Sequence, residues 1–216
     1  MKLKTSTIAL AVAGTLATPM AAQADLYASA RIGINNVDTG GVSELSVQGV
    51  SSRFGIRQEF DLGNGMTSYG RYEWSVATEG PGSAIGRRHA YVGLKGDFGN
   101  TYLGQTNHEF FKHLVGPLDN PWVGSGIAMV DYLSRDPSQI SYATSFGAAS
   151  VGVSAVLQDN ATDPNGLDGL DGFELAVSVP AGDLGTVAVG IRSLEDADDA
   201  AEDGNDLIGI TWHGIA

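Results

Sequence analysis

Ser52-Arg53-Phe54-Gly55-Ile56-Arg57-Gln58-Glu59-Phe60-Asp61-Leu62, followed by Gly63-Asn64-Gly65-Met66, decides the fold class. The even positions Phe54, Ile56, Phe60 and Leu62 are apolar; the odd positions Arg53, Arg57, Glu59 and Asp61 are charged. Side chains alternate between the two faces of a β-strand, so this stretch presents one apolar and one charged surface. Gly63-Asn64-Gly65 supplies the residues that tolerate positive φ in a tight hairpin turn. The return stretch places Met66, Tyr72, Trp74 and Val76 on one face and Thr67, Arg71, Glu73 and Ser75 on the other. The same alternation recurs at Leu26–Ile34, Arg87–Lys95, Ser150–Gln158, Phe173–Val179, Val187–Arg192 and Ile208–His213, and less clearly at Thr101–Gln105 and Gln139–Ser145. About ten short strands separated by turn residues describe an all-β chain.

The chain has 216 residues, 30 of them Gly and none Cys, with 12 Lys/Arg against 25 Asp/Glu. The absence of Cys removes disulfides, thiolate metal sites and thiol nucleophiles. The acidic balance argues against a nucleic-acid partner, which needs clustered positive charge. Lys2 and Lys4, the apolar run Ile8–Ala17 and the small-x-small triplet Ala22-Gln23-Ala24 form an export signal, so residues 1–24 are expected to be cleaved. That run is too short to span a bilayer, which takes ~20 apolar residues.

A soluble sandwich also alternates, but three features favour a transmembrane antiparallel β-barrel. The bases Arg31, Arg53, Arg57, Arg71, Arg87, Lys95 and Arg192 all occupy polar parities, and Arg88 at a strand start is the one wall base on the apolar parity. Such a partition is required where the other face meets lipid, since Arg costs ~2–4 kcal/mol at the bilayer midplane. Connections alternate short and long, the long ones being Asn35–Val50, Thr78–Gly86, Asn107–Pro137, Gln158–Gly172 and Ser193–Asp206. Aromatic residues of the apolar parity, such as Phe54, Trp74 and Trp212, fall near strand ends, as interface girdles require.

At this point the residues resemble a family, the general diffusion porins of Gram-negative outer membranes. The resemblance rests on Asp25–Arg31, Ser51–Arg57, Asp61–Met66 and, most specifically, Arg87-Arg88-His89-Ala90-Tyr91-Val92-Gly93-Leu94-Lys95-Gly96-Asp97-Phe98-Gly99-Asn100-Thr101-Tyr102-Leu103-Gly104. It implies a homotrimer of 16-stranded barrels, each a water-filled pore for ions and small hydrophilic solutes in a lipid and lipopolysaccharide setting. It implies a third external loop, here Asn107–Pro137, folded into the barrel. The pore-constriction wall is then expected at Arg31, Arg53, Arg57, Arg71 and Arg87, faced by loop acids Glu109, Asp119 and Asp131. The family commonly has Arg after the Gly of the strand entering the loop; here Gly104 is followed by Gln105, implying one wall base fewer. His108 and His113 are read as loop residues without a special role.

From Gln158 to Asp206 there are 13 acids and one base, Arg192. The first run fails as an EF-hand, because Ala161 stands where Asp is required and the closing Glu is missing. These acids are either a solvated face or weak Ca²⁺ or Mg²⁺ bridges to lipopolysaccharide phosphates; no cofactor is expected. No catalytic motif is present, so no enzyme activity is expected. The alternatives are a secreted soluble β-rich adhesin or binding module, and an outer-membrane barrel enzyme. Sixteen strands at this spacing need on the order of 300 residues. The chain is therefore expected to hold the signal peptide (1–24) and about ten strands of a barrel domain (25–216) that continues beyond it.

Overall fold

The computed structural model describes residues 24–39, 42–49, 51–77, 85–118, 135–157, 170, 172–194 and 205–214. The export segment therefore lies outside the described residues apart from Ala24. The strands are β1 (Asp25–Ser29), β2 (Ile32–Thr39), β3 (Val42–Gly49), β4 (Arg53–Gly63), β5 (Met66–Val76), β6 (Ile85–Gly96), β7 (Gly99–Asn107), β8 (Arg135–Asp136), β9 (Gln139–Phe146), β10 (Ala149–Val156), β11 (Gly172–Pro180), β12 (Thr186–Leu194) and β13 (Asn205–His213). All pairings are antiparallel, in the order β1-β4-β5-β6-β7-β9-β10-β11-β12-β13, with β8 on the end of β7. The ten strands of this path match the ten alternating stretches of the sequence. β1 and β13 are the edges of the sheet.

The turn at Asn64-Gly65 has φ of 52° and 73°, and Gly63 pairs with Met66 across it. Two consecutive positive φ values give the turn whose twist suits a hairpin.

Two expectations are corrected. The stretch Leu26–Ile34 is broken at Ala30-Arg31, and Asn35–Val50, expected as a loop, carries β2 and β3 paired as a hairpin. The register explains the break. Ser29 opposes Arg53 and Ile32 opposes Gly49, so three steps on one side meet four on the other. The extra residue is a bulge, with Ser51 at φ 57°. Buried Ser52 pins it: its Oγ accepts the Arg31 N–H at 2.9 Å and donates to the Arg31 carbonyl at 3.0 Å.

Register rows show the two faces. Leu26, Ile56, Tyr72, Ala90 and Gln105 lie in one lateral row, and Val151, Val177, Val189 and Ile210 in another. Large apolar residues of this face are exposed: Ile56 by 37%, Tyr72 by 39% and Val189 by 45% inside the sheet, and Leu26 by 82% and Ile210 by 75% on its two edge strands. The opposite face holds the buried polar residues Glu73, His89, Ser141, Ser154, Glu174 and Arg192. The buried apolar cluster, Phe110, Phe111, Leu114, Val115, Ala176 and Ala188, also lies on this polar face, where a loop packs on the sheet. No helix among the described residues is long and apolar enough to cross a membrane. The longest strands, of 11 and 12 residues, reach the ~9–11 that a tilted transmembrane strand needs.

Candidate functional site

The polar face of β1 and β4–β6 carries a cluster built on one carboxylate. Tyr27, Gly55, Glu73 and His89 form a lateral row. Gly55 lets the Tyr27 ring cross β4, because a Cβ there would stand 2.5 Å from the Tyr27 hydroxyl. That hydroxyl donates to Glu73 Oε2 at 2.8 Å and accepts from Arg71 Nε at 2.8 Å. Arg71 also donates to Glu73 Oε2. Arg88 Nε donates to Glu73 Oε1 at 2.9 Å, and Arg53 Nη1 stands 3.9 Å from the same oxygen. Three guanidinium groups thus surround one fully buried carboxylate. The carboxylate compensates one charge and leaves the wall positive.

The sequence-predicted wall residues divide. Arg53 and Arg71 are in the cluster. Arg31 lies at the β1–β2 break, its Nε donating to Ser29 Oγ at 3.3 Å. Arg57 opposes Arg71, but is exposed and pairs with Asp25 at 3.2 Å. Such exposed pairs contribute ~0–1 kcal/mol. Arg87 is corrected. The β5–β6 register passes from Glu73–His89 to Trp74–Arg87, leaving Arg88 as the extra residue of a bulge. Arg87 therefore shares the apolar face with Trp74, and Arg88 turns to Glu73. Gln105 is also corrected: it shares the apolar row with Ala90, so reading Gln for Arg there takes no base from the polar wall.

The second part of the site is the start of the connection after β7. Residues Phe111–Val115 form one turn of π-helix lying on the polar face of β11–β13. Beneath the loop runs the lateral row Gly152, Ala176, Gly190 and Gly209. These small residues make room. A Cβ on Gly152 would meet Glu109 Oε2 at 2.2 Å, and one on Gly209 would meet Leu114 at 2.5 Å. The neighbouring row, Tyr102, Ser141, Ser154, Glu174 and Arg192, supplies the polar anchors. Ser154 Oγ accepts the Glu109 N–H at 3.0 Å, and Glu174 Oε2 accepts the Phe110 N–H at 3.1 Å.

Glu109, expected as an acid facing the basic wall, is instead buried as an anchor. Its carboxylate accepts from the Tyr102 hydroxyl and from Lys112 Nζ, the latter at 2.9 Å, with His113 Nε2 at 3.4 Å. Burial raises its pKa, but His113 and the Lys112 ammonium more than offset this, holding it below the ordinary value of 4.5. Burial lowers the Lys112 pKa more than the Glu109 carboxylate raises it. Asp119 and Asp131 lie outside the described residues. The reading of His108 and His113 as inert is overturned: His108 contacts Glu174 Oε1 at 2.9 Å and His113 contacts Ser178 Oγ at 2.9 Å.

Between the wall and the loop lies a space of about 490 Å³, lined by the bases Arg53, Arg71, Arg88, Lys95 and Lys112 and by the acid Glu59. Lys95 and Glu59 pair at 2.9 Å. Alternation places Glu73 on the polar face of its stretch and Glu174 opposite Phe173, Leu175 and Val177, with no role for either. Their signal was a carboxylate at mid-strand, where a polar face needs a partnered charge. No group of three or more His, Asp or Glu is placed to hold a metal among the described residues. The acidic runs near 158–171 and 195–203 lie outside them apart from Leu170.

A family model described as Gram-negative porin matches residues 7–211. The major outer membrane protein P.IB of Neisseria meningitidis serogroup A is 34% identical over 131 residues, covering 56% of this chain and 38% of that protein. Its counterpart in Neisseria lactamica is 33% identical over 142 residues, covering 61% and 40%. The chain thus spans about two fifths of the length of the curated relatives it matches. Among solved structures, the Salmonella typhi OmpF complex with daunomycin aligns with a TM-score of 0.68 at 19% identity, covering 88% of this chain and 61% of that one. An anion-selective porin from Comamonas acidovorans aligns with a TM-score of 0.64 at 20% identity, covering 80% and 57%. With its charged inner face and exposed apolar outer face, this chain belongs to the Gram-negative porin family, and its place is the outer membrane.

Proposed function

We propose that the protein forms a water-filled channel for passive diffusion of ions and small hydrophilic solutes across the outer membrane, without catalysis. The carrying observation is the loop packed on the polar face of the sheet beside a positively lined space of about 490 Å³. A soluble adhesin has no need for a sheet whose large apolar residues are exposed on one side. An enzyme needs a paired nucleophile and base, whereas the polar groups of this wall neutralise and fix one another. The family resemblance favours a homotrimer of such channels. The residual positive charge around Glu73 favours anions at the wall, because a narrow pore with low-dielectric surroundings focuses fixed charge. The test is a planar-bilayer recording of the full-length protein. The expected result is a stepwise, ohmic current whose reversal potential in a salt gradient lies on the anion side. Folded, heat-modifiable protein that inserts and passes no current would overturn the reading.

A further inference from the structure

A guanidinium stands on the outer face of the sheet. The bulge in β6 turns Arg88 to the wall and leaves Arg87 in the outer lateral row Ala28, Phe54, Trp74 and Arg87. Arg87 is exposed, and its guanidinium has no hydrogen-bond or ion-pair partner among the described residues. The same holds for the Trp74 indole N–H and the Tyr72 hydroxyl of this face. Trp74 stacks on Phe54 with 5.0 Å between ring centroids and packs against Tyr72 at 4.4 Å. The patch is therefore a set of donors among aromatic rings, and what it lacks is an acceptor. Arg87 is the third residue of β6, at the end of the sheet away from the tight turns Gly63–Met66 and Gly96–Gly99.

We propose that Arg87, Trp74 and Tyr72 form a site on the outer rim for the phosphate of an anionic membrane lipid. Hydrocarbon offers a guanidinium no acceptor, so an outward Arg belongs at headgroup level, where Trp and Tyr also settle. A lipid phosphate presents oxygens to the fork of Arg87, and the glycerol and upper acyl chain of the same molecule lie against the rings. A second copy of the chain is a poorer occupant. It would bring this same sheet face, whose rows on β4–β7 and β9–β12 hold no acid, while Asp206 stands apart on the edge strand β13. The bulge builds the site, since strict alternation would turn Arg87 to the inner face. None of this depends on the channel reading.

The test uses full-length protein with its other tryptophans changed to Phe, folded into phosphatidylcholine vesicles holding a small fraction of lipid brominated near the headgroup. Quenching of Trp74 then reports which lipid lies against it. Brominated phosphatidylglycerol is expected to be bound about fivefold more strongly than brominated phosphatidylcholine, the worth of one basic residue at an anionic surface. In Arg87→Gln the two lipids are expected to quench alike. Arg57→Gln removes the same charge from the inner face and is expected to keep the preference. Equal quenching with Arg87 in place, a preference retained in Arg87→Gln, or an equal loss in Arg57→Gln would each overturn the proposal. Trp74 untouched by either lipid would mean that another copy covers the row, which overturns it too. Circular dichroism and gel mobility establish that each variant is folded, and Arg87 has no partner among the described residues whose loss would unfold it. Folded protein that passes no current counts against the channel reading, and the lipid preference then stands or falls on its own.

Discussion

Arg87 and Arg88 are adjacent in sequence and on opposite faces of the sheet. One unpaired residue in β6 is enough to do this. Strict alternation assigns Arg87 to the polar face, and that assignment holds only while the ladder has no bulge. Nothing in Gly86-Arg87-Arg88-His89 marks the bulge, since it is settled by which partners on β5 offer a carboxylate. Glu73 captures Arg88 at 2.9 Å, and Trp74 opposes Arg87. Removing Arg88 therefore takes a charge from the wall, and removing Arg87 does not. In bilayer recordings of the full-length protein, Arg88→Ala is expected to move the reversal potential toward cations, with Arg87→Ala close to wild type. Equal shifts from the two variants would show that the bulge does not separate them.

At the scale of the element, the loop after β7 shows what a sequence can and cannot disclose. Its existence follows from the length of the interval between alternating stretches. Its inward placement followed from resemblance alone. Its anchors were not legible, because each joins residues far apart in the chain: His108 to Glu174 across 66 positions, and Glu109 to Ser154 across 45. The seat is a lateral row of small residues drawn from four strands, and no single strand displays it. An acid in a loop looks solvated until the glycine beneath it is known; Gly152 is what lets Glu109 sink into the sheet. This burial has a pH consequence. The Glu109 pKa is lowered on folding, so the folded state holds its proton less tightly than the unfolded chain. The stabilisation is present above the ordinary value of 4.5 and is lost as pH falls through the lower, folded value. Thermal unfolding of the detergent-solubilised protein should thus show a fall in midpoint below about pH 4.5 that is smaller in Glu109→Gln. An equal fall in both proteins would remove Glu109 as its source.

For the whole molecule, the face that matters most to the fold was the most legible. Parity fixed which residues of β4, β5 and β10–β13 look outward, because each step along a strand reverses the side chain. The exposure of Leu175, Val189, Ile191, Ile208 and Ile210 agrees with that assignment. The charge partition has the same origin: a guanidinium can be neutralised on the inner face by Glu73 or Glu174, and hydrocarbon offers no such partner. A base placed in the outer rows is therefore a direct test of which face meets lipid. Val189 lies near the middle of β12, in the row with Val177 and Ile210, 45% exposed and without a carboxylate in that row. Val189→Arg is expected to cost about 2–4 kcal/mol of folding free energy in lipid vesicles if this row lies at the bilayer midplane, and less the nearer it is to the interface. Val189→Ala is the comparison, since it removes apolar surface without adding charge. The measurement is the denaturant midpoint for folding into vesicles, read by the gel mobility of folded and unfolded protein. A Val189→Arg variant as stable in lipid as Val189→Ala would mean that this row does not face hydrocarbon. The outer and inner surfaces would then have to be exchanged, which the burial of Glu73, Glu174 and Arg192 on the other face makes physically costly.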